Sequence, residues 1–96
     1  MVVNNLLIKL KERDAESIQK AVAVLQKLKG NIPVLLDSRV ETNVGQGTAK
    51  YDIMLINTFG FLEDIQEYLV HPVHVEVSEY IKDVIDAAAS LCYEVK

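Results

Sequence analysis

The stretch VVNNLLIKLK, Val2 to Lys11, carries two interleaved patterns at once. Val2, Asn4, Leu6, Ile8 and Leu10 fall on one face of an extended strand, and Val3, Asn5, Leu7, Lys9 and Lys11 on the other. The even face is nearly all apolar, which predicts a buried side with Asn4 as its lone polar member. The odd face is half apolar, which is more than a face turned to water needs. A sheet built on this strand has one side for its own helices and a second side that also wants cover.

The segments that follow supply the partners. Asp14 offers a helix N-cap with Glu16 in the first turn, and Ile18, Ala21, Val22, Leu25 and Leu28 recur at helical spacing. Gly30 supplies the stop and Pro33 prevents continuation. Val34 to Val44 reads as a second strand, with Val34, Leu36, Val40 and Val44 opposed to Asp37, Arg39 and Glu41. Lys50 to Phe59 reads as a third. Between them Gly45 and Gly47 resemble a phosphate-cradling loop only superficially, because no helix follows; a hairpin connection accounts for them. A short helix over Phe61 to Leu69, with Leu62, Ile65 and Leu69 as its packing stripe, precedes a longer one from Pro72 to about Ala88. A last strand spans roughly Leu91 to Val95.

The order β-α-β-β-α-β, with the second α unit broken at His71-Pro72, predicts an α+β, ferredoxin-like protomer: an antiparallel sheet with helices on one face. On the other face the alternation places Val3, Leu7, Met54, Ile56 and Cys92, beside Lys9, Arg39 and Asp52. An apolar patch of several hundred Å² marks an interface. A second copy packed sheet to sheet about a two-fold axis is the simplest cover, so a homodimer through the sheet face is expected.

Composition narrows the function. The chain has 96 residues, half of them apolar and a quarter charged, with a formal net charge of -4. One domain over 1–96 is expected. No basic stripe exists to bind a phosphate backbone, so nucleic acid is not expected as a partner. No apolar run approaches the ~18 residues of a membrane span. The start MVVNNLLIKLK lacks the layout of a signal peptide, and the single cysteine, Cys92, gives no internal disulfide; a cytoplasmic location is expected, with no membrane partner.

Both histidines stand in the segment YLVHPVHVEVSEY, Tyr68 to Tyr80. Proline is favoured at the first helical position, so Pro72 there makes His71 the N-cap. Val77, Ser78, Ile81, Val84, Ile85 and Ala88 follow His74 at helical spacing, which turns His74 toward the sheet. Tyr68, at the edge of the preceding helix, can share a pocket with it, and Asn4 can line the same pocket from the first strand. His74 as general base and Tyr68 as donor to a developing oxyanion would make an acid–base site. An inward His that bonds a backbone carbonyl, beside a Tyr packed by its ring, is the purely structural reading, and both stand. The candidate catalytic residues are therefore His74 and Tyr68, and the candidate ligand-binding residues Asn4, Tyr68 and His74. Two histidines three apart are an incomplete metal set, so neither metal nor cofactor is expected. Glu63 and Asp64 read as helix-start acids, Cys92 as an inert packing residue, and Ser78 lacks a hydrolase elbow.

The strand ending Lys9-Leu-Lys-Glu12, the run YDIMLINTF from Tyr51 to Phe59 and the block EDIQEYLVHPVH from Glu63 to His74 resemble the stress-responsive dimeric α/β-barrel (Dabb) family over nearly the whole chain. The Tyr-x-x-His-Pro-x-His block is its most specific part. The resemblance implies a ferredoxin-like protomer and a dimer whose two sheets form a barrel. Many members have no assigned activity, and a small organic ligand in the protomer cavity is the expectation for this chain. Some plant members close polyketide chains by aldol condensation, with the residues that match His74 and Tyr68; those members also carry histidines where this chain has Asn4 and Ile53. A lyase- or cyclase-like enzyme is the alternative. The fold is shared with cofactor-free monooxygenases as well.

Overall fold

The structure, a computed structural model, describes residues 1–45 and 50–96. Four strands and three helices alternate along the described chain: β1 (Val2–Leu10), α1 (Ala15–Leu25), β2 (Leu35–Thr42), β3 (Ile53–Phe59), α2 (Asp64–Val70), α3 (Pro72–Val84) and β4 (Ile85–Glu94). The sheet order is β2-β3-β1-β4, and every neighbouring pair is antiparallel. This is the ferredoxin-like α+β fold that the order of elements predicts.

β1 is central because its even residues are the most apolar set available to the helices. Ile8 and Leu10 are fully buried, and they join Ala21, Leu25, Leu28, Leu35, Ile53, Leu55, Phe59, Tyr68, Val77 and Ile81 in one core. The Asp14 side chain caps α1 by accepting from the Ser17 N–H at 2.7 Å. The helix tightens into a 3₁₀ turn at Gln26–Leu28. Gly30 follows at φ 79°, the left-handed conformation that a side chain resists, which makes it the stop.

Five expectations need correction. Helix α3 ends at Val84 rather than near Ala88, and β4 begins at Ile85, well before Leu91. The run Asp86-Ala-Ala-Ala-Ser90 has helical propensity, but the free edge of β1 needs hydrogen-bond partners along its whole length. Pairing wins: β4 matches β1 from Val2↔Glu94 to Leu10↔Ile85, with a register shift that leaves Asp86 to pair its carboxylate with Lys9 at 3.3 Å. Cys92 sits opposite Asn4, hence on the helix-facing side and not the outer one, and it is exposed rather than packed. In β2 the register shifts between Leu35 and Asp37, so Leu35, Ser38 and Val40 face inward while Leu36 and Val44 are exposed.

Helix α2 starts at Asp64, after Leu62, and packs through Ile65 and Tyr68, leaving Leu62 and Leu69 exposed. Asp52 is buried just before β3 instead of standing on the outer face. Its carboxylate accepts from the Leu10 N–H at 2.9 Å and from Arg13 Nε at 3.0 Å, tying the end of β1 to the start of β3. The β2–β3 pairing is that of a hairpin; Gly47 lies outside the described residues. On the outer face β1, β3 and β4 bring together Val3, Leu7, Met54, Ile56, Leu91 and Tyr93, which the pairing register sets side by side.

Candidate functional site

The His-Pro corner forms because two short-range rules agree there. Pro72 occupies the first turn of α3, where a missing N–H costs nothing, and His71 in extended conformation closes the helix start. The His71 side chain accepts at Nδ1 from the Val73 N–H at 3.1 Å, so it is the N-cap that the spacing predicts. Three residues on, His74 turns under α3 toward the sheet. Its Nδ1 lies 3.0 Å from the Leu69 carbonyl, and its ring meets the ring of Tyr68 at a centroid distance of 4.4 Å with a 52° tilt.

Those two bonds assign opposite tautomers to the two histidines. A carbonyl oxygen only accepts, so in the neutral His74 ring Nδ1 carries the hydrogen and Nε2 the lone pair. In His71 Nδ1 is the acceptor, so Nε2 carries the hydrogen.

Tyr68 is 5% exposed and also packs edge-on against Phe59, at 5.2 Å between centroids. Its hydroxyl oxygen accepts from Asn57 Nδ2 at 3.1 Å, and Asn57 Oδ1 accepts from the Ser38 hydroxyl at 2.7 Å. Ser38 and Asn57 are both buried, so this chain of bonds runs through the interior from β2 through β3 to α2. Burial pushes the Tyr68 phenol up to about 12, against a smaller downward pull from the Asn57 amide. At neutral pH Tyr68 is a donor and not a base.

Beneath α3 a cavity of about 210 Å³ opens between helices and sheet. Leu6, Ile8 and Leu55 form its floor and Leu25, Val77 and Ile81 its walls, while Tyr68, His74, Ser78 and the exposed Lys82 bring polar atoms to it. The Ser78 hydroxyl donates back to the Val75 carbonyl at 2.9 Å and keeps its lone pairs. The volume suits a substituted single ring of about ten heavy atoms and falls below the ~300 Å³ at which drug-sized sites begin. Of the three predicted site residues, Tyr68 and His74 meet at this cavity. Asn4 stands half-buried beside Asn57 in the β1–β3 register and is not among the residues that line it.

Ser38 and Asn57 escaped the sequence reading. Asn57 carried the same signal as Asn4, a lone polar residue on an otherwise apolar alternation of Ile53, Leu55 and Phe59. Ser38 was hidden by the register shift in β2. Among the described residues no three His, Cys, Asp or Glu side chains are grouped to hold a metal ion, and no helix is long and apolar enough to cross a membrane.

Comparison with known proteins follows this geometry. Among solved structures, an Arabidopsis thaliana protein superposes with a TM-score of 0.85 at 22% identity, over 100% of this chain and 96% of its own. A dimeric protein of unknown function and ferredoxin-like fold from Bacteroides fragilis gives 0.81 at 22% identity, over 98% and 95%. The hydroxynitrile lyase of Passiflora edulis gives 0.83 at 15% identity, over 99% and 93%. At these identities the likeness is one of fold. No curated protein matches the chain in sequence. The model of the stress responsive A/B barrel domain, Dabb, matches residues 4–95, and so the chain belongs to that family.

Proposed function

We propose that two copies of the chain associate through the outer faces of their sheets, and that each copy binds a small, mainly apolar organic molecule in the cavity beneath α3. The observation that carries the ligand reading is the cavity itself, where apolar walls from β1, β3, α1 and α3 surround two polar rings in direct contact. Apolar sites with a few convergent polar groups are the usual form of small-molecule sites. Tyr68 and His74 grip the polar end of the ligand. The dimer reading is supported by the apolar side chains of Val3, Leu7, Met54 and Ile56 on the outer face and by dimeric relatives such as the Bacteroides fragilis protein. The chain is read as cytoplasmic, with no nucleic-acid or membrane partner.

Native mass spectrometry of the purified protein tests both halves. The expected result is a dimer that carries a small molecule lost in Tyr68→Phe or His74→Gln. A monomer without bound mass, at concentrations where the relatives dimerise, would overturn the reading.

A second reading is favoured by one feature: a phenol held protonated by burial beside an imidazole whose Nε2 is unprotonated. That pair is a donor and a base in ring contact, suited to cofactor-independent proton transfer of the lyase or cyclase kind, with His74 as base and Tyr68 as donor. The fold likeness to a hydroxynitrile lyase makes aldehyde release from an aromatic cyanohydrin the first assay. Turnover that disappears in His74→Gln would establish catalysis; none across cyanohydrin and polyketide-like substrates would leave the binding role.

A further inference from the structure

The geometry points to a specific ligand edge: a carbonyl-type acceptor next to an N–H or O–H donor, read by Tyr68 and His74, with Asn57 and Ser38 as positioning residues. This rests on the cavity being a binding site, and it adds what the site selects.

Tyr68 and His74 each have one bonding direction already committed. His74 spends its Nδ1–H on the Leu69 carbonyl, which leaves Nε2 able only to accept. The Ser38 hydroxyl donates to Asn57 Oδ1, and the amide nitrogen is the end that faces Tyr68. Asn57 Nδ2 then donates to the Tyr68 oxygen, so the phenolic hydrogen points away from Asn57. Among the described residues no carbonyl or carboxylate accepts that hydrogen, and Tyr68 lines the cavity. The two adjacent rings thus offer one donor and one acceptor, with the Ser78 lone pairs and the Lys82 ammonium elsewhere on the lining. A primary carboxamide, a neutral carboxylic acid or the enol of a β-dicarbonyl presents the matching pair. An acceptor alone satisfies only half of it, and a buried polar group left unpaired is where selectivity comes from.

A leucine in place of Asn57 would extend the apolar alternation of Ile53, Leu55 and Phe59. The Asn57 amide instead buries hydrogen-bonding capacity on β3 and spends it on aiming one hydroxyl.

Two measurements test this. ¹⁵N NMR of the imidazoles reads the tautomers directly: His74 protonated at Nδ1 and His71 at Nε2. The reverse pattern at His74 would overturn the inference. The second measurement titrates three probes of nearly equal size, toluene, acetophenone and benzamide, by chemical-shift perturbation at the cavity. Benzamide and acetophenone differ by an amino group in place of a methyl. Benzamide should bind about tenfold tighter than acetophenone, the worth of one well-made hydrogen bond. The preference should fall to about twofold or less in Asn57→Leu, and partly in Ser38→Ala, which still folds if the leucine variant does not. Equal binding of all three probes would overturn the donor–acceptor edge and leave the cavity reading standing. Binding of none would overturn both. An unchanged benzamide preference in both variants would remove Asn57 and Ser38 from the account.

Discussion

On its helix-facing side the sheet presents Ile8, Leu10, Leu55 and Phe59 to a core of its own, and interrupts them with Ser38 and Asn57, which are hydrogen-bonded to each other and on to Tyr68 of α2. On its outer side the same strands present Leu7, Met54, Ile56 and Leu91 to no element of the chain, with Asp37, Arg39 and Glu41 confined to the β2 edge. One face is covered by the protomer's own helices, with the cavity beneath α3 left between them. The other carries these apolar side chains around Asn5 at the centre of β1. The alternation in β1 separates two needs: even residues build the protomer core, and odd residues supply the face proposed for assembly. On the inner face Ser38, Asn57 and Tyr68 are joined in one chain of hydrogen bonds.

A charge on the outer face breaks this division most severely. In Leu7→Asp a carboxylate enters a desolvated sheet-to-sheet contact, at a cost of about 3 kcal/mol or more. Multi-angle light scattering should show the parent as a dimer and the variant as monomer or aggregate. A parent that is monomeric at high concentration sinks the assembly.

Alkali probes the inner face. The Tyr68 phenol is raised to about 12 when folded and returns to its ordinary value near 10 when unfolded. Below pH 10 both states hold the proton and its contribution is complete. Between pH 10 and 12 the unfolded state ionises first, so stability falls as pH rises. The loss is of the order of 2 kcal/mol. Denaturant melts at pH 9 and 11.5 should show this component in the parent and not in Tyr68→Phe. Equal slopes for both would mean that the hydroxyl is solvated.

The two histidines sharpen the comparison at smaller scale. His74→Ala removes a half-buried ring from Tyr68 and orphans no charge, so a loss of about 1–2 kcal/mol is expected, part of it recovered in His74→Gln. Raised stability in His74→Ala would be the mark of a site kept at the expense of the fold. His71→Ala should cost only about 1 kcal/mol, the worth of one cap, and His71→Asn should restore most of it. Thermal melts of the four variants decide both.

How much of this was legible follows from the range of the forces involved. The His71 cap, the Gly30 stop and the inward stripe from His74 depend on neighbours within a few positions, so spacing alone revealed them. The start of β4 did not show. Ala87, Ala88 and Ala89 accept either state, and what decides is the unpaired edge of β1, more than seventy positions away in sequence (Leu10 to Ile85). The face of Cys92 depended on that same register. In α2 the spacing Leu62, Ile65, Leu69 suggests a stripe, but the helix begins only at Asp64 and packs through Ile65 and Tyr68, which leaves Leu69 exposed. Asn57 was visible as a polar gap in an apolar alternation, but its partner Ser38 was not, since the shift at Leu36 conceals which way it points.

The placement of β1 also governs how the chain reaches this state. It comes first in sequence, yet its two neighbours are the third and fourth strands, so neither side of it can be matched until most of the chain is available. Folds dominated by such distant pairings close slowly, in milliseconds to seconds, because loop-closure entropy is lost before contacts return it. Until then a strand with apolar side chains on both faces waits with both edges open. On the ribosome, the segment that defines the architecture is thus the one most in need of protection, and β4 is the last piece to relieve it.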